Sequence, residues 1–269
     1  MTVKPDFSKI RLICSDIDGT LLNGGKAIAQ PVKDELRRLQ SQGIVFAFAT
    51  GRLPYEVEPL LEGLLEKVPY VAGNGAVIKC GEEGLREYDF IPERLRGLAE
   101  KYSALGVTVV FSYNDQERPL KVTPWARSAA SAFPGMDNPA DGDIWNRRIR
   151  RRFFCHPQGA YLKECRKNLD GYSDDYDICV QNDRSIQIAP LGCTKAAGVG
   201  QLAQMLGIER EAVLCVGDGE NDISMIQYAG IGAAVANGTD ALKRASDYVT
   251  KEPCAMGVLE VLKLCGKTE

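Results

Sequence analysis

Four short segments of the sequence carry side chains that could act together in catalysis. They combine carboxylates, cationic groups, hydroxyl groups and glycines: Asp16-Ile17-Asp18-Gly19-Thr20, Thr50-Gly51-Arg52, Lys195 and Gly217-Asp218-Gly219-Glu220-Asn221-Asp222. Carboxylates that lie close together repel each other and raise one another's pKa values. A hard divalent cation relieves this repulsion, and Mg²⁺ prefers a few carboxylate oxygens together with phosphate oxygens from a substrate. The acidic residues therefore point to a Mg²⁺ site.

The cationic and hydroxyl side chains of the same segments suit an anionic ligand. Lys195 offers an ammonium group that could hold a phosphoryl oxygen or restrain a carboxylate nucleophile. Thr50 offers a hydroxyl group, and the glycines leave backbone N–H groups accessible to an anion. Together with a divalent cation, these groups form an electrostatic cage of the kind in which positioning and charge compensation drive phosphoryl transfer.

The first and last thirds of the sequence alternate between short apolar runs and helical patterns. The apolar runs predict strands at residues 10–15, 44–49, 70–72, 212–216 and 231–235. The helical spacing of apolar residues predicts helices at residues 30–42, 54–67, 194–206, 221–228 and 258–264. Gly43 supplies a stop for the first helix, and Pro59 could break the second. Such alternation predicts an α/β fold with a doubly wound, Rossmann-like parallel sheet.

The predicted sheet explains how the four segments could meet. Ligands of open parallel sheets bind beyond the carboxyl ends of the strands. Three of the segments directly follow predicted strands, and Lys195 opens a predicted helix, with Thr194 as its expected N-cap. We therefore expect one crevice that gathers the carboxylates, the hydroxyl group and the ammonium group.

The middle of the sequence has a different pattern. Paired strands and intervening helices predict a separate α+β domain, with elements at residues 92–105, 107–113, 120–122, 125–133, 148–155 and 157–169. A hairpin follows, with strands at residues 178–181 and 185–189 and a turn at 182–184. We predict a core domain formed by residues 1–81 and 190–269, and an inserted domain formed by residues 82–189.

The four segments together resemble the haloacid dehalogenase (HAD) superfamily. Within it, the sequence resembles the Cof-type phosphatases that carry a type IIB cap. Supporting stretches are Gly73-Asn74-Gly75-Ala76 and Ala236-Asn237-Gly238, followed by Ala241-Leu242-Lys243. The resemblance covers the whole chain and implies a HAD-like core with residues 82–189 as the cap, which would close over the crevice and set specificity. It also implies a Mg²⁺-dependent phosphatase that hydrolyses phosphomonoesters of small metabolites, with sugar phosphates ahead of nucleotide-like and cofactor phosphates.

The resemblance implies a role for each matching residue. Asp16 would be the nucleophile that forms an aspartyl-phosphate, and Asp18 would be the general acid and base. The implied phosphate and substrate ligands are Thr50, Gly51, Arg52 and Lys195. The implied metal ligands are Asp16, the backbone carbonyl of Asp18, Asp218, Asn221 and Asp222. Two alternatives stay open at this point: Arg52 could instead be an exposed salt-bridge partner, and Asp222 could reach the metal through water.

Composition narrows the classes of function. The chain has 269 residues, of which 45% are apolar and 26% charged, and a net charge of -3 argues against nucleic acid and acidic membranes as partners. The nine cysteines include no C-x-x-C pair, which favours reduced, buried thiols in a cytoplasmic protein. The N-terminus lacks the apolar centre of a signal peptide, and no apolar run approaches about 18 residues. Nothing in the pattern predicts an oligomeric state.

Two other functions compete with a phosphatase. A phosphomutase would return the phosphoryl group to another hydroxyl of the substrate, and a sensor would bind a phosphorylated ligand without catalysis. The intact pair of Asp16 and Asp18 argues against the sensor.

An arginine-rich run at residues 147–152 stands apart from the four segments. It could form a nucleic-acid or phosphate patch, but we favour a solvated sheet face or an edge strand protected by charge. An intermediate hypothesis directs Arg150 or Arg152 toward the crevice, where it would help to select an anionic substrate.

Overall fold

The chain forms two compact units. The structure is a computed structural model that describes residues 5–24, 27–61, 63–65, 67–82, 84–113, 116–182 and 184–266. The core unit comprises Met1–Glu87 and Thr194–Glu269, and the inserted unit comprises Tyr88–Cys193. The first division lies after Glu87 because Gly84–Glu87 pairs as a strand with Val77–Cys80 in the core sheet. The functional domains of residues 1–81 with 190–269 and of residues 82–189 stay a prediction.

The described part of the chain contains thirteen strands and nine α-helices. The strands are β1 (Leu12–Ser15), β2 (Val45–Ala49), β3 (Tyr70–Ala72), β4 (Val77–Cys80), β5 (Gly84–Glu87), β6 (Thr108–Tyr113), β7 (Gln116–Pro119), β8 (Arg151–Cys155), β9 (Tyr176–Asn182), β10 (Ser185–Pro190), β11 (Val213–Gly217), β12 (Ile231–Ala234) and β13 (Tyr248–Val249). The helices are α1 (Gln30–Ser41), α2 (Pro54–Leu61), α3 (Arg96–Ala104), α4 (Pro124–Ala129), α5 (Leu162–Leu169), α6 (Lys195–Leu206), α7 (Ile223–Tyr228), α8 (Asp240–Ala245) and α9 (Cys254–Leu262).

The core unit is built on an eight-stranded sheet in the order β13-β12-β11-β1-β2-β3-β4-β5. Strands β13 to β3 run parallel, and β4 and β5 extend that edge as antiparallel strands. All four residues of β1 are buried, as expected for a central strand that is covered on both faces. The predicted doubly wound α/β core is therefore confirmed, with an antiparallel edge added to it.

Local signals explain most helix boundaries in the core unit. Gly43 follows α1 with a φ of +79°, a left-handed conformation that glycine adopts without strain. Helix α2 is shorter than the predicted 54–67, because Gly63 adopts a φ of +66° that cannot continue a helix. The side chain of Thr194 accepts a hydrogen bond from the N–H of Ala197, which confirms the expected N-cap of α6. Helix α9 begins at Cys254, earlier than predicted.

The inserted unit contains a five-stranded antiparallel sheet in the order β7-β6-β8-β10-β9. The predicted hairpin is formed by β9 and β10, and Asp183 of its turn lies outside the described residues. The strand expected near residues 120–122 lies at Gln116–Pro119 instead, where it pairs with β6. Helices α3 and α5 contribute Ala99 and Cys165 to the apolar core of this unit. The α+β character of the insertion is confirmed.

The prediction for the arginine-rich run is wrong for two of its residues. Arg151 is 3% exposed and Arg152 is 0% exposed. Both lie in β8, the central strand of its sheet, which pairs with β6 on one side and β10 on the other. They are therefore neither on a solvated face nor on an edge. Within the part of the chain that the structure describes, no helix is long and apolar enough to span a membrane.

Candidate active site

The two acidic segments begin side by side in the core sheet. Strands β1 and β11 are parallel neighbours in which Cys14 pairs with Cys215, so their carboxyl ends lie at the same edge of the sheet. The N–H of Asp16 donates to the carbonyl of Val216 at 2.9 Å, which continues the pairing to the start of the first segment. Asp16 follows β1 and Asp218 follows β11. The parallel register thus brings two carboxylates together that are far apart in the sequence.

The hydroxyl and the lysine reach this edge from two further elements. Thr50 follows β2, is buried, and donates its backbone N–H to Val71 at 2.8 Å. Lys195 is the first residue of α6, whose start packs against the turn that contains Gly75. A Cβ added to Gly75 would lie 2.4 Å from the carbonyl oxygen of Thr194, and the φ of Gly75 is +105°. A glycine is therefore required there if α6 is to begin close to the sheet.

Lys195 bridges two buried carboxylates. Its Nζ lies 2.6 Å from Oδ1 of Asp16 and 2.5 Å from Oδ1 of Asp222, and all three side chains are buried. Burial alone would lower the pKa of Lys195, but the two carboxylates outweigh it and raise that pKa above its usual value. Burial raises the pKa of Asp16 to about 7, although the ammonium group of Lys195 opposes the change. One cation thus compensates the carboxylates only in part.

Both oxygens of Asp222 are already engaged. Oδ2 accepts hydrogen bonds from the backbone N–H groups of Asp218 and Gly219, each at 2.9 Å, while Oδ1 accepts from Lys195. A carboxylate that receives two backbone donors fixes the loop that carries them. Asp222 therefore holds Asp218 in place and orients Lys195.

Asp218 is held from the other side by the first segment. The hydroxyl of Thr20 donates to Oδ1 of Asp218 at 2.9 Å. Burial raises the pKa of Asp218 to about 6, and the bond from Thr20 opposes that rise. Gly19 has a φ of +85°, and a Cβ added to it would lie 2.2 Å from Oδ2 of Asp218. The chain can pass this closely to the carboxylate only because residue 19 has no side chain.

The acidic cluster has the donor set of a hard cation. Asp16, Asp218 and Asp222 each offer one carboxylate oxygen, and these oxygens lie within 4.8 Å of one another. A set of oxygen donors without thiolate or imidazole suits Mg²⁺ rather than a softer metal. The raised pKa values of Asp16 and Asp218 show an environment that a further positive charge would relieve. The residues present therefore fit the metal that the sequence predicts.

The remaining predicted residues lie at the same edge of the core sheet. Nε and Nη2 of Arg52 donate to the two carboxylate oxygens of Asp18 at 2.8 and 2.6 Å. The backbone N–H of Arg52 donates to the hydroxyl of Thr50 at 3.1 Å, with Gly51 between them. A hydroxyl that accepts in this way can still donate its proton to a ligand. The side-chain amide of Asn221 lies 3.5 Å from that of Asn74.

Sequence reasoning missed two residues that hold the site together. Thr20 lies within the first segment, but the sequence does not predict its hydrogen bond to Asp218. Asn237 donates from Nδ2 to the carbonyl of Gly19 at 2.8 Å, and its Oδ1 accepts from the N–H of Cys254 at 2.7 Å. Asn237 thus ties the loop that follows β1 to the start of α9. The signal in the sequence was that Asn237 belongs to Ala236-Asn237-Gly238, one of the stretches that support the resemblance to the family.

Comparison with known proteins identifies the family. The sequence model of the haloacid dehalogenase-like hydrolases matches residues 13–262. The chain belongs to this family. Within it, the predicted assignment to the Cof-type phosphatases of subclass IIB is confirmed.

Relatives of described activity match along nearly their whole length. A 5-amino-6-(5-phospho-D-ribitylamino)uracil phosphatase, YcsE of Bacillus subtilis, is 28% identical, with 98% of each chain covered. A phosphoglycolate phosphatase of Methanospirillum hungatei is 26% identical, with 95% of this chain and 96% of the relative covered. The HAD subclass IIB sugar phosphatase BT4131 has a similar structure, with a TM-score of 0.78, 22% identity and coverage of 94% of this chain and 98% of that one.

The family and the site together establish the general activity. This HAD-like hydrolase is a phosphatase, a phosphoric monoester hydrolase, that acts on small phosphorylated metabolites. The prediction of a phosphatase is confirmed at this level. Its buried acidic cluster is consistent with the metal site of the family.

Proposed function

We propose that this phosphatase hydrolyses phosphomonoesters of small metabolites, foremost sugar phosphates, through an aspartyl-phosphate formed on Asp16 and with Mg²⁺ as its cofactor. The observation that carries the proposal is the buried bridge from Lys195 to Asp16 and Asp222, next to Asp218. It presents one carboxylate, held in place by an ammonium group, at the edge of a parallel sheet where ligands bind.

Asp16 acts as the nucleophile in this proposal. Lys195 binds Oδ1 of Asp16 and so fixes the plane of the carboxylate. Oδ2 attacks phosphorus, a bond forms between Asp16 and phosphorus, and the bond from phosphorus to the ester oxygen of the substrate breaks. Asp18 donates a proton to the departing oxygen, which leaves as an alcohol.

The second half of the reaction releases phosphate. Asp18, now a carboxylate, accepts a proton from a water molecule as that water attacks phosphorus. The bond between phosphorus and Asp16 breaks, and inorganic phosphate leaves. The same residue thus serves as acid and then as base, and the nucleophile returns to its initial state.

The other residues hold the phosphoryl group and the metal. Thr50, the backbone of Gly51 and Lys195 are assigned to the phosphoryl oxygens. Mg²⁺ would be held by Asp16, Asp218 and the backbone carbonyl of Asp18, and would supply positive charge against the phosphoryl oxygens. Asp222 accepts from the backbone of Asp218 and so holds its loop, which favours contact with the metal through water, and Asn221 stays a predicted metal ligand.

The relatives support a small substrate with a terminal phosphate. The names of two relatives specify a ribityl phosphate and phosphoglycolate, and the similar structure is that of a sugar phosphatase. A phosphate monoester on a small polar molecule is the chemistry that these substrates share. Sugar phosphates are therefore the first class to test.

A panel of phosphoesters tests the proposal. We expect purified protein with Mg²⁺ to release phosphate from sugar phosphates and related small monoesters, and EDTA to abolish this release. Asp16→Asn keeps the shape of the side chain but removes its nucleophilicity, so turnover should fall by orders of magnitude. Turnover that survives this substitution would contradict the covalent route.

The same panel separates the competing functions. An isomerised sugar phosphate in place of free phosphate would indicate a phosphomutase. Binding of phosphoesters without release of phosphate from any member of the panel would indicate a sensor. Hydrolysis that persists in EDTA would contradict the proposed metal requirement.

A further inference from the structure

A short turn after β12 contacts both loops that carry the proposed metal ligands. Nδ2 of Asn237 donates to the carbonyl of Gly19 at 2.8 Å, in the loop that follows β1. Two residues later, the N–H of Thr239 donates to the carbonyl of Asp218 at 2.9 Å, in the loop that follows β11. Gly238 lies between them, and a Cβ added to it would lie 3.4 Å from Cα of Asp218. One turn of three residues is therefore bonded to both loops.

The amide of Asn237 is held so that its nitrogen faces the first loop. Its Oδ1 accepts from the N–H of Cys254 at 2.7 Å, at the start of α9. A backbone N–H can only donate and a backbone carbonyl can only accept, so these two partners define the orientation of the amide. The N–H of Ala236 donates to the hydroxyl of Thr250 at 3.0 Å, which anchors the turn before residue 237. The donor to Gly19 is therefore carried by a turn that is bonded on both sides of it.

The bond from Asn237 completes the fixation of the Gly19 backbone. The N–H of Gly19 donates to the carbonyl of Leu22 at 2.8 Å, and its own carbonyl accepts from Asn237. In a trans peptide the C=O and the N–H point in opposite directions, so the bond to Leu22 sets the direction of the Asp18 carbonyl. The bond from Asn237 fixes the next peptide plane. This matters at a glycine with a φ of +85°, because glycine has the widest choice of backbone conformations.

We propose that Asn237 is a positioning residue that sets the separation between the carbonyl of Asp18 and the carboxylate of Asp218, and thereby the affinity for Mg²⁺. This inference rests on the proposed function, because it takes these two groups as ligands of the metal. The hydroxyl of Thr20 supports the same alignment, since it donates from the first loop to Oδ1 of Asp218 at 2.9 Å. Loops that are aligned in advance do not lose further conformational entropy when the metal binds.

A purely structural role for Asn237 predicts a different result. Loss of a structural hydrogen bond lowers the free energy of unfolding but leaves the metal ligands of the folded protein in place. Loss of a positioning hydrogen bond weakens Mg²⁺ binding by the folded protein itself, at temperatures far below Tm. The two roles are therefore separated by the affinity for the metal and not by stability.

Calorimetric titration of the metal-free protein with Mg²⁺ makes this measurement. Leucine has nearly the shape of asparagine, so Asn237→Leu removes both hydrogen bonds of the amide without a change of charge. We expect the Kd for Mg²⁺ to rise by about 10-fold, at the lower end of the range for partners that orient metal ligands. The Mg²⁺ concentration for half-maximal phosphate release should rise by a similar factor. A misfolded fraction would lower the stoichiometry of binding and leave the Kd unchanged.

Tyr248→Phe is the matched control for stability. The hydroxyl of Tyr248 donates to Oε1 of Glu260 at 2.7 Å, so this variant loses a hydrogen bond between β13 and α9 without a change in either metal loop. Its Tm should fall, and its Kd for Mg²⁺ should equal that of wild type. A wild-type Kd in Asn237→Leu, or an equal rise of the Kd in both variants, would overturn the positioning role.

A second control distinguishes failure of this inference from failure of the proposed function. Asp218→Asn removes a carboxylate assigned to the metal and should abolish measurable Mg²⁺ binding. If Asp218→Asn binds Mg²⁺ as tightly as wild type, the proposed metal site is wrong, and the role of Asn237 fails with it. If Asp218→Asn loses binding, an unchanged Kd in Asn237→Leu contradicts the positioning role alone.

Discussion

Arg152 is the clearest test of how charge is accommodated in the inserted unit. Its side chain is fully buried, and its Nε, Nη1 and Nη2 make no hydrogen bond to any residue that the structure describes. The guanidinium carbon instead lies 4.5 Å from the centroid of Phe111 and 5.0 Å from that of Trp145. Aromatic faces attract a cation but do not satisfy its N–H donors. We therefore expect Arg152→Met to stabilise the protein.

The size of the stabilisation expected for Arg152→Met follows from two opposing contributions to the free energy of burying the guanidinium. Burial lowers the pKa of Arg152 to about 9, well below the usual value of a guanidinium, but the group is still charged at neutral pH. At about 1.4 kcal/mol for each pH unit, this difference corresponds to a cost of about 5 kcal/mol. Each desolvated contact between the guanidinium and an aromatic ring stabilises the folded state by about 2 kcal/mol. The net cost is about 1 kcal/mol, and methionine removes it while keeping an unbranched apolar chain in the same space.

Tryptophan fluorescence makes the measurement specific to this unit. The chain has two tryptophans, Trp125 and Trp145, and both lie in the inserted unit. Thermal unfolding followed by fluorescence should therefore report on this unit. A gain of about 1 kcal/mol should raise its Tm by about 4 °C or more.

The neighbouring arginine supplies a matched control with the opposite sign. Arg151 lies in the same strand and is also buried, but its Nη2 is 2.7 Å from Oε1 of Glu117 and its Nε donates to Ser112 at 3.1 Å. Arg151→Met would leave the buried carboxylate of Glu117 without this cation and should cost about 3–5 kcal/mol. A lower Tm for both variants would refute the reasoning, because Arg152 would then have a stabilising partner that its surroundings do not show.

Two further predictions concern the acidic cluster. In the variant Gly19→Ala, the added Cβ would lie 2.2 Å from Oδ2 of Asp218 and would displace that carboxylate. We therefore expect kcat/KM to fall by about 10²-fold and the Mg²⁺ concentration needed for half-maximal activity to rise. Lys195→Met should abolish phosphate release and lower the free energy of unfolding by about 3–5 kcal/mol, since it leaves Asp16 and Asp222 buried without their cation. An active Gly19 variant with normal Mg²⁺ dependence, or a Lys195 variant as stable as wild type in thermal unfolding, would contradict these assignments.

The strands that carry the site were predictable because burial on both faces leaves a simple pattern. Residues 10–15 are largely apolar and residues 212–216 are a continuous apolar run, and strands β1 and β11 lie within them or one residue beyond. Glycines and aspartates directly follow these runs. Because ligands of parallel sheets bind beyond the carboxyl ends of the strands, this position predicted that the two acidic segments share one edge of the sheet. The direct pairing of β1 with β11 was not predictable, since periodicity does not encode strand order.

Short, half-exposed elements were not predictable in the same way. Strand β5 has only partly buried or exposed residues, so no apolar run marks it. Its pairing with β4 decides where the core unit ends. The prediction for the arginine-rich run failed for a related reason, since charged residues normally indicate an exposed segment. Strand β8 is instead central in its sheet, which buries Arg151 with a carboxylate and Arg152 between aromatic rings. Both outcomes depend on neighbours that are distant in sequence.

The contacts of individual site residues required the structure, and they assign different tasks to residues of one type. Asp16, Asp218 and Asp222 carry three negative charges against the single ammonium of Lys195, so two charges remain when all are ionised. A divalent cation matches that remainder. However, both oxygens of Asp222 already accept hydrogen bonds, one from Lys195 and the other from two backbone N–H groups. It can contribute charge to the balance without contributing a direct ligand, which supports Asp16 and Asp218 as the carboxylates that hold the proposed Mg²⁺.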